Sequence, residues 1–172
     1  INTFAFSQSL LAAIEFPSSI VTISENAFYL STALVNATFE DAYTSNLTTI
    51  GKAAFRQSGV TSFVFPPSVE QIGQNCFLNS TLISAEIMAN SHLNSVSDKA
   101  FDAPNLVYFK MPADKVDIAK VGDIPETCII YSYTYSPTSF PTNFPTSEPT
   151  IPTGQPSSMP TLDPTGIINP NL

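Results

Sequence analysis

One short pattern, repeated five times in tandem, constrains this chain more than any other feature. The pattern is aliphatic-x-x-x-[Ala/Cys]-Phe. It reads INTFAF at 1–6, ISENAF at 23–28, IGKAAF at 50–55, IGQNCF at 72–77 and VSDKAF at 96–101. The Phe-to-Phe steps are 22, 27, 22 and 24 residues. A unit of that length cannot bury its apolar face alone, so copies must stack into a solenoid with one continuous core. Each unit carries a second pattern, aliphatic-x-x-apolar-x-apolar: Leu11/Ile14/Phe16, Leu34/Ala37/Phe39, Val60/Phe63/Phe65, Leu82/Ala85/Ile87 and Leu106/Phe109/Met111. The closing alternation predicts short strands over 12–16, 35–39, 61–65, 83–87 and 107–111, each with one buried face. Pro17, Pro66 and Pro112 follow three of these strands and end the ladder, having no N–H to donate. A third pattern, Ile20/Ile23, Leu47/Ile50, Val69/Ile72 and Leu93/Val96, leads into the next Phe. Phe6, Phe28, Phe55, Phe77 and Phe101 are expected in one buried column, each ring contributing roughly 1.5–3 kcal/mol.

Together the patterns resemble the BspA-like, or treponemal-type, leucine-rich repeat. The segments FPPSV at 65–69 and QIGQNCF at 71–77 carry the resemblance best, and it covers about residues 1–112. It implies an α/β, β-rich, right-handed leucine-rich-repeat solenoid of five repeats plus a C-terminal cap, and it says little about function. The second unit departs from the pattern with a longer loop, Glu40 to Asn46, and no proline. Ala37 and Ala85 stand where larger core residues are expected and predict local looseness. Val116, Ile118, Val121, Ile124 and 129–131 read as the cap: a short helix from about Asp114 to Lys120, then a strand to Tyr135. The folded domain is therefore 1–135. At the other end the first repeat begins at Ile1, without Met or cap. That reads as a mature form or an excerpt, with the end covered by upstream repeats or by another chain.

Charge narrows the function classes. Six Lys and Arg stand against 14 Asp and Glu, a net charge of −8. Nucleic-acid binding needs a basic footprint that is missing here, and so does a polybasic membrane-surface module. One His and two Cys cannot build a Cys/His zinc site. No apolar run approaches the 18 or so residues of a transmembrane span. We expect no enzyme and no cofactor. The strand residues between core positions form the concave face: Ala13, Asn36, Ser62, Ser84 and Tyr108 in one row, Glu15, Thr38, Val64, Glu86 and Lys110 in the next. It is a mild surface of small and polar groups. His92 has no partners for a triad or a metal and reads as a surface loop residue.

Three N-glycosylation sequons occur, at Asn36, Asn46 and Asn79. Asn46 falls in the long loop, Asn79 in the turn after a Phe, and Asn36 on the concave face, where a sugar would obstruct the sheet. Cys76 takes the Ala place beside a column Phe and is expected buried; Cys128 lies in the cap. A disulfide between them suits an extracellular protein, but they stand about two repeats apart and a disulfide needs Cα atoms within about 7 Å. Two buried free thiols are the alternative.

Nine of the 15 prolines lie between Pro137 and Pro170, so residues 136–172 read as a separate Pro/Thr/Ser-rich tail. Pro137, Pro141, Pro145, Pro149, Pro152, Pro156, Pro160 and Pro164 set a four-residue beat with one three-residue step. Such a segment favours polyproline II and reaches roughly 90 Å at 3.1 Å per residue. Four against three residues per turn winds prolines and threonines round every face. The tail resembles the Pro-Thr-Ser tetrad tails of algal cell-surface proteins. That resemblance implies O-linked sugar, with Thr138, Thr142, Thr146, Thr150, Thr153, Thr161 and Thr165 as candidates, and the eight beat prolines as hydroxyproline candidates. A plain flexible linker is the other reading. Ile167 and Ile168 return the tail to apolar character and read as anchors. The expectation is a secreted structural glycoprotein of an extracellular fibril, cell wall or cell-surface coat, a homo-oligomer assembling head to tail through its open end and tail. A cell-surface adhesin or receptor ectodomain with a glycosylated stalk is the alternative.

Overall fold

The computed structural model describes residues 1–115, 117 and 122–132. The chain divides into two units, Ile1–Tyr135 and Ser136–Leu172, and every described residue lies in the first. The expectations for the tail, including its threonines, prolines and the Ile167 and Ile168 anchors, lie outside the described residues.

The first unit is a parallel solenoid with two sheets. The larger runs β1 (Ala13–Phe16), β3 (Asn36–Phe39), β5 (Ser62–Phe65), β7 (Ser84–Ile87), β9 (Tyr108–Pro112) and β10 (Ile129–Ser132). Its strands start within a residue of the expected positions, because alternation alone decides which side chains face inward. The smaller sheet stacks β2 (Thr22–Ile23), β4 (Thr49–Ile50), β6 (Gln71–Ile72) and β8 (Ser95–Val96). Its inward residues are those closing the third pattern: Ile23, Ile50, Ile72 and Val96 are all buried.

A third wall carries the Phe residues and is also hydrogen-bonded between turns. In each of the first four turns the N–H groups two before, at, and two after the column Phe donate to carbonyls of the next turn. For the first turn these are Phe4 to Glu25, Phe6 to Ala27 and Gln8 to Tyr29, at 3.3, 2.8 and 2.8 Å. The set repeats from Asn26, Phe28 and Leu30, from Ala53, Phe55 and Gln57, and from Asn75, Phe77 and Asn79. Intervening N–H groups close tight turns within their own repeat, as Ala5 to Asn2 and Ser7 to Phe4 do. In the first three turns every N–H from two before to two after the column Phe is thus accounted for. The geometry requires left-handed backbone at the two flanking positions. Phe4, Gln8, Asn26, Leu30, Ala53, Gln57, Asn75 and Asn79 all have φ between 52° and 58°. That conformation costs an ordinary L-residue about 1–2 kcal/mol, which the inter-turn bonds and the core must offset.

Inside, the Phe rings stack nearly parallel. Centroid spacings are 5.2 Å (Phe6–Phe28), 5.0 Å (Phe28–Phe55), 5.2 Å (Phe55–Phe77) and 5.8 Å (Phe77–Phe101), with interplanar angles of 4–8°. Phe63 and Phe65 on β5 and Phe109 on β9 meet the column edge-on or tilted. Phe28, Phe55, Phe77 and Phe101 are fully buried. Phe6 corrects the expectation of five buried rings: it is only partly buried, because the first turn packs against a neighbour on one side only. Close packing of the turns also explains the IG dipeptides. A Cβ on Gly51 would lie 2.6 Å from the Glu25 nitrogen, and one on Gly73 2.5 Å from the Lys52 nitrogen.

Two further corrections concern the C-terminal end. The cap is a sixth turn: β10 pairs in parallel with β9, Ile129 opposite Phe109 and Ser132 opposite Pro112. The Gly122 carbonyl takes the Phe101 N–H at 2.9 Å, as Ala100 does for Phe77. Where a short helix is expected, Ala113–Lys115 form a 3-10 turn and Asp117 is α-helical; the rest of that expectation lies outside the described residues. Pro112 also closes β9 instead of following it.

Candidate functional site

Three surfaces of the solenoid merit description. The first is the concave face. The register aligns Ala13, Asn36, Ser62, Ser84 and Tyr108 in one row, as the alternation implied. Glu86 and Lys110 stand side by side in the next row, where the Lys110 Nζ donates to Glu86 Oε1 at 2.7 Å. Both ends of this pair remain partly solvated, so its worth is that of a surface ion pair. The hydrogen bond and charge of Glu86 raise the Lys110 ammonium pKa above its usual value, with smaller contributions from Tyr108 and Tyr43.

That loop also opens the sheet. β1 and β3 share four register pairs, and so do β5 and β7, but β3 and β5 share one, Asn36 with Ser62. The extra residues after Phe39 draw the end of β3 away from β5. Ala37 is too small to fill the space. A crevice of about 260 Å³ results, lined by Ala37, Thr38, Phe39, Ala42, Ser62 and Val64. The looseness expected at Ala37 appears here, whereas Ala85 stays buried in well-paired strands. Tyr43 stands exposed on the loop, whose turn is held by its N–H donating to Asp41 Oδ1 at 2.9 Å.

The second surface is the outer face of the first turn. Ile1, Phe6, Leu11 and Ile14 pack partly against the core, whereas their counterparts one turn on, Ile23, Phe28, Leu34 and Ala37, are buried. The ladder described above has one polarity: N–H groups point to the following turn and carbonyls to the preceding one. The carbonyls of Thr3, Ala5 and Ser7 therefore face outward, in the places that Glu25, Ala27 and Tyr29 occupy one turn later. Among the described residues none of the three accepts a hydrogen bond.

The third surface carries the sequons. Asn36, Asn46 and Asn79 are all exposed. Asn36 and Thr38 share the concave side of β3. Asn46 ends the long loop, its N–H on the Ser18 carbonyl at 2.9 Å, and Asn79 sits in left-handed backbone with its N–H on Asp102. The three are not brought together into one site.

Cys76 and Cys128 are both buried free thiols. Burial pushes the Cys76 thiol far above its ordinary pKa and raises that of Cys128 less. Cys128 donates from Sγ to the Pro125 carbonyl at 3.0 Å. His92 is exposed in a loop, with its backbone N–H on the Pro67 carbonyl. Among the described residues no three His, Cys, Asp or Glu side chains converge on a possible metal position, and no helix is long and apolar enough to cross a membrane. One signal escaped the sequence patterns: a serine three residues after the Phe. Ser31, Ser58 and Ser80 are buried there, and the Ser31 hydroxyl donates to the Phe6 carbonyl of the preceding turn.

The fold is similar to two solved structures. One is a leucine-rich repeat protein from Bacteroides ovatus, 22% identical, with a TM-score of 0.49 over 59% of this chain. The other is a leucine rich cell surface protein from Faecalibacterium prausnitzii, 17% identical, with a TM-score of 0.33 over 63% of this chain. The chain covers 25% and 41% of those two proteins. No curated protein matches it. The profile of the BspA type leucine rich repeat region matches residues 1–123 in six copies, one more than the five legible patterns, as the sixth turn requires. With the match spanning well over half its length, this chain belongs to the BspA-type leucine-rich repeat family.

Proposed function

We propose that this chain is a non-enzymatic extracellular glycoprotein that serves as a structural unit of a cell-surface coat or fibril. The observation that carries the reading is the exposure of all three sequons, at Asn36, Asn46 and Asn79. The glycosylatable Pro/Thr/Ser composition of the tail supports the same extracellular setting. In the coat reading the tail of 136–172 is the linking arm between copies. Electron microscopy of the purified full chain tests the reading. Filaments or sheets are expected, and particles that stay single solenoids at every concentration reject it. Mass spectrometry of native material should find N-glycan on Asn46 and Asn79 and O-linked sugar on the tail. An unmodified 18.5 kDa chain rejects the glycoprotein part.

The crevice under the Tyr43 loop favours a second reading, an adhesin or receptor ectodomain. There the concave face between β3 and β9 would hold a peptide or glycan, and the tail would be a stalk. Deleting residues 41–45 separates the two: it abolishes binding to cells or matrix in the adhesin reading and leaves assembly untouched in the coat reading.

A further inference from the structure

Asn36 differs from the other two sequons in standing on a strand. Alternation along β3 puts Asn36 and Thr38, the two residues that define its sequon, on the exposed concave side, with Ala37 buried between them. Its register neighbours are Ala13 on β1 and Ser62 on β5. Both are small, which leaves room beside the Asn36 amide for an attached group.

The crevice begins where that row ends. β3 and β5 part after the Asn36–Ser62 pair, and Thr38 and Ser62 both line the space between them. Thr38 lies about 7 Å along the strand from Asn36, within reach of an asparagine side chain that carries one sugar ring. At about 260 Å³ the crevice is smaller than the ~300–1,000 Å³ of sites that enclose a drug-sized ligand. It fits a single ring rather than a chain.

The lining is uncharged. Ala37, Phe39, Ala42 and Val64 offer apolar contact, and Thr38 and Ser62 add two hydroxyls. Neither hydroxyl has a partner among the described residues, and each can both donate and accept. Apolar walls with two such groups suit a neutral N-acetylhexosamine, which has an apolar C–H face, a methyl group and hydroxyls. Val64 is 41% exposed and Tyr43, next to Ala42, is 79% exposed; exposed apolar surface of this kind marks a place that something covers.

Resting on the glycoprotein reading, we propose that Asn36 is glycosylated and that the first N-acetylhexosamine of its glycan folds back into this crevice. The sugar covers Val64, braces the loop after Phe39 and closes this part of the concave face to a macromolecular partner.

Peptide mapping of native material should find N-glycan on Asn36. The full chain, secreted by an N-glycosylating host, is then compared with Asn36→Gln and Thr38→Val, which destroy the sequon from either end, and with Thr38→Ser, which keeps it. Hydrogen exchange should show loss of protection over 38–43 and at Val64 in the first two variants and none in Thr38→Ser. Trimming the wild-type glycan to its first sugar with an endoglycosidase should leave that protection in place, because only the first sugar is seated. A bare Asn36 with sugar on Asn46 and Asn79 overturns this inference and leaves the glycoprotein reading standing. A chain without N- or O-linked sugar overturns both. An occupied Asn36 whose removal in Asn36→Gln leaves exchange unchanged, or protection that is lost on trimming, overturns the seating of the sugar.

Discussion

Phe55→Ala and Phe6→Ala together probe whether the Phe column holds the solenoid together turn by turn. Phe55 is fully buried between Phe28 at 5.0 Å and Phe77 at 5.2 Å, with Phe63 at 5.2 Å on its edge. Removing its ring opens a cavity between two turns that cannot collapse, because the inter-turn backbone bonds fix their spacing. A core Phe→Ala change costs about 3–5 kcal/mol. Phe6 has a ring neighbour on one side, Phe28 at 5.2 Å, and is partly solvated. Its truncation should cost roughly half the core value, about 1.5–2.5 kcal/mol. Phe55→Leu should fall between, keeping most of the volume but losing aromatic contacts worth about 0.5–1.5 kcal/mol each. Urea unfolding followed by circular dichroism measures the differences, and hydrogen exchange locates them. Protection should fall first in the second, third and fourth turns for Phe55→Ala, and only in the first for Phe6→Ala. Equal costs for the two, or a loss below about 1 kcal/mol at Phe55, would refute the nearest-neighbour reasoning.

Other outcomes follow from single contacts. Gly73→Val should destabilise by about 1–3 kcal/mol through overpacking, since its Cβ lands 2.5 Å from the Lys52 backbone nitrogen; thermal unfolding reads it. Cys76→Ala should fold normally, because Ala27, Ala54 and Ala100 fill the same column, and it should change the pH profile. Burial raises the Cys76 thiol pKa. Its contribution to stability is therefore full below the unfolded thiol pKa of about 8.5 and is lost as pH rises towards the folded value. The wild type should weaken above that point and Cys76→Ala should weaken less, as urea midpoints at pH 7 and pH 10 will show. Glu86→Gln should leave the melting temperature almost unchanged, because its partner Lys110 is solvent-screened. Deleting 41–45 should close the gap between β3 and β5 and raise exchange protection at Thr38 and Val64.

Periodicity made the sheet and the column legible. Inward positions such as Phe63, Ile87 and Phe109 are fixed by period-two alternation, and the Phe spacing fixes the turn length. What stayed hidden depends on neighbours in space. The two-residue strands β2, β4, β6 and β8 are too short to show alternation and exist only because four turns align them. The left-handed backbone at Phe4, Leu30 and Ala53 runs against local preference. Only Asn26, Asn75 and Asn79 hint at it, since Asn tolerates that conformation. The sixth turn lacks the Ala-Phe signature, with Gly122 and Asp123 at those places, and so it read as a cap. Of the candidate surfaces, the concave rows followed from alternation. The crevice did not, because a loop insertion shows its length but not which strand pair it separates. The acceptor row of the first turn needed the bond polarity, which no residue pattern encodes.

Sedimentation velocity of the full chain against a chain ending at Tyr135, over a wide concentration range, tests the central claim most directly. If the solenoid is a structural unit joined through its tail, the full chain grows into a concentration-dependent series of larger species. The shortened chain then sediments as a folded monomer with unchanged circular dichroism. A shortened chain that assembles as well as the full one, or a full chain that remains monomeric throughout, contradicts it.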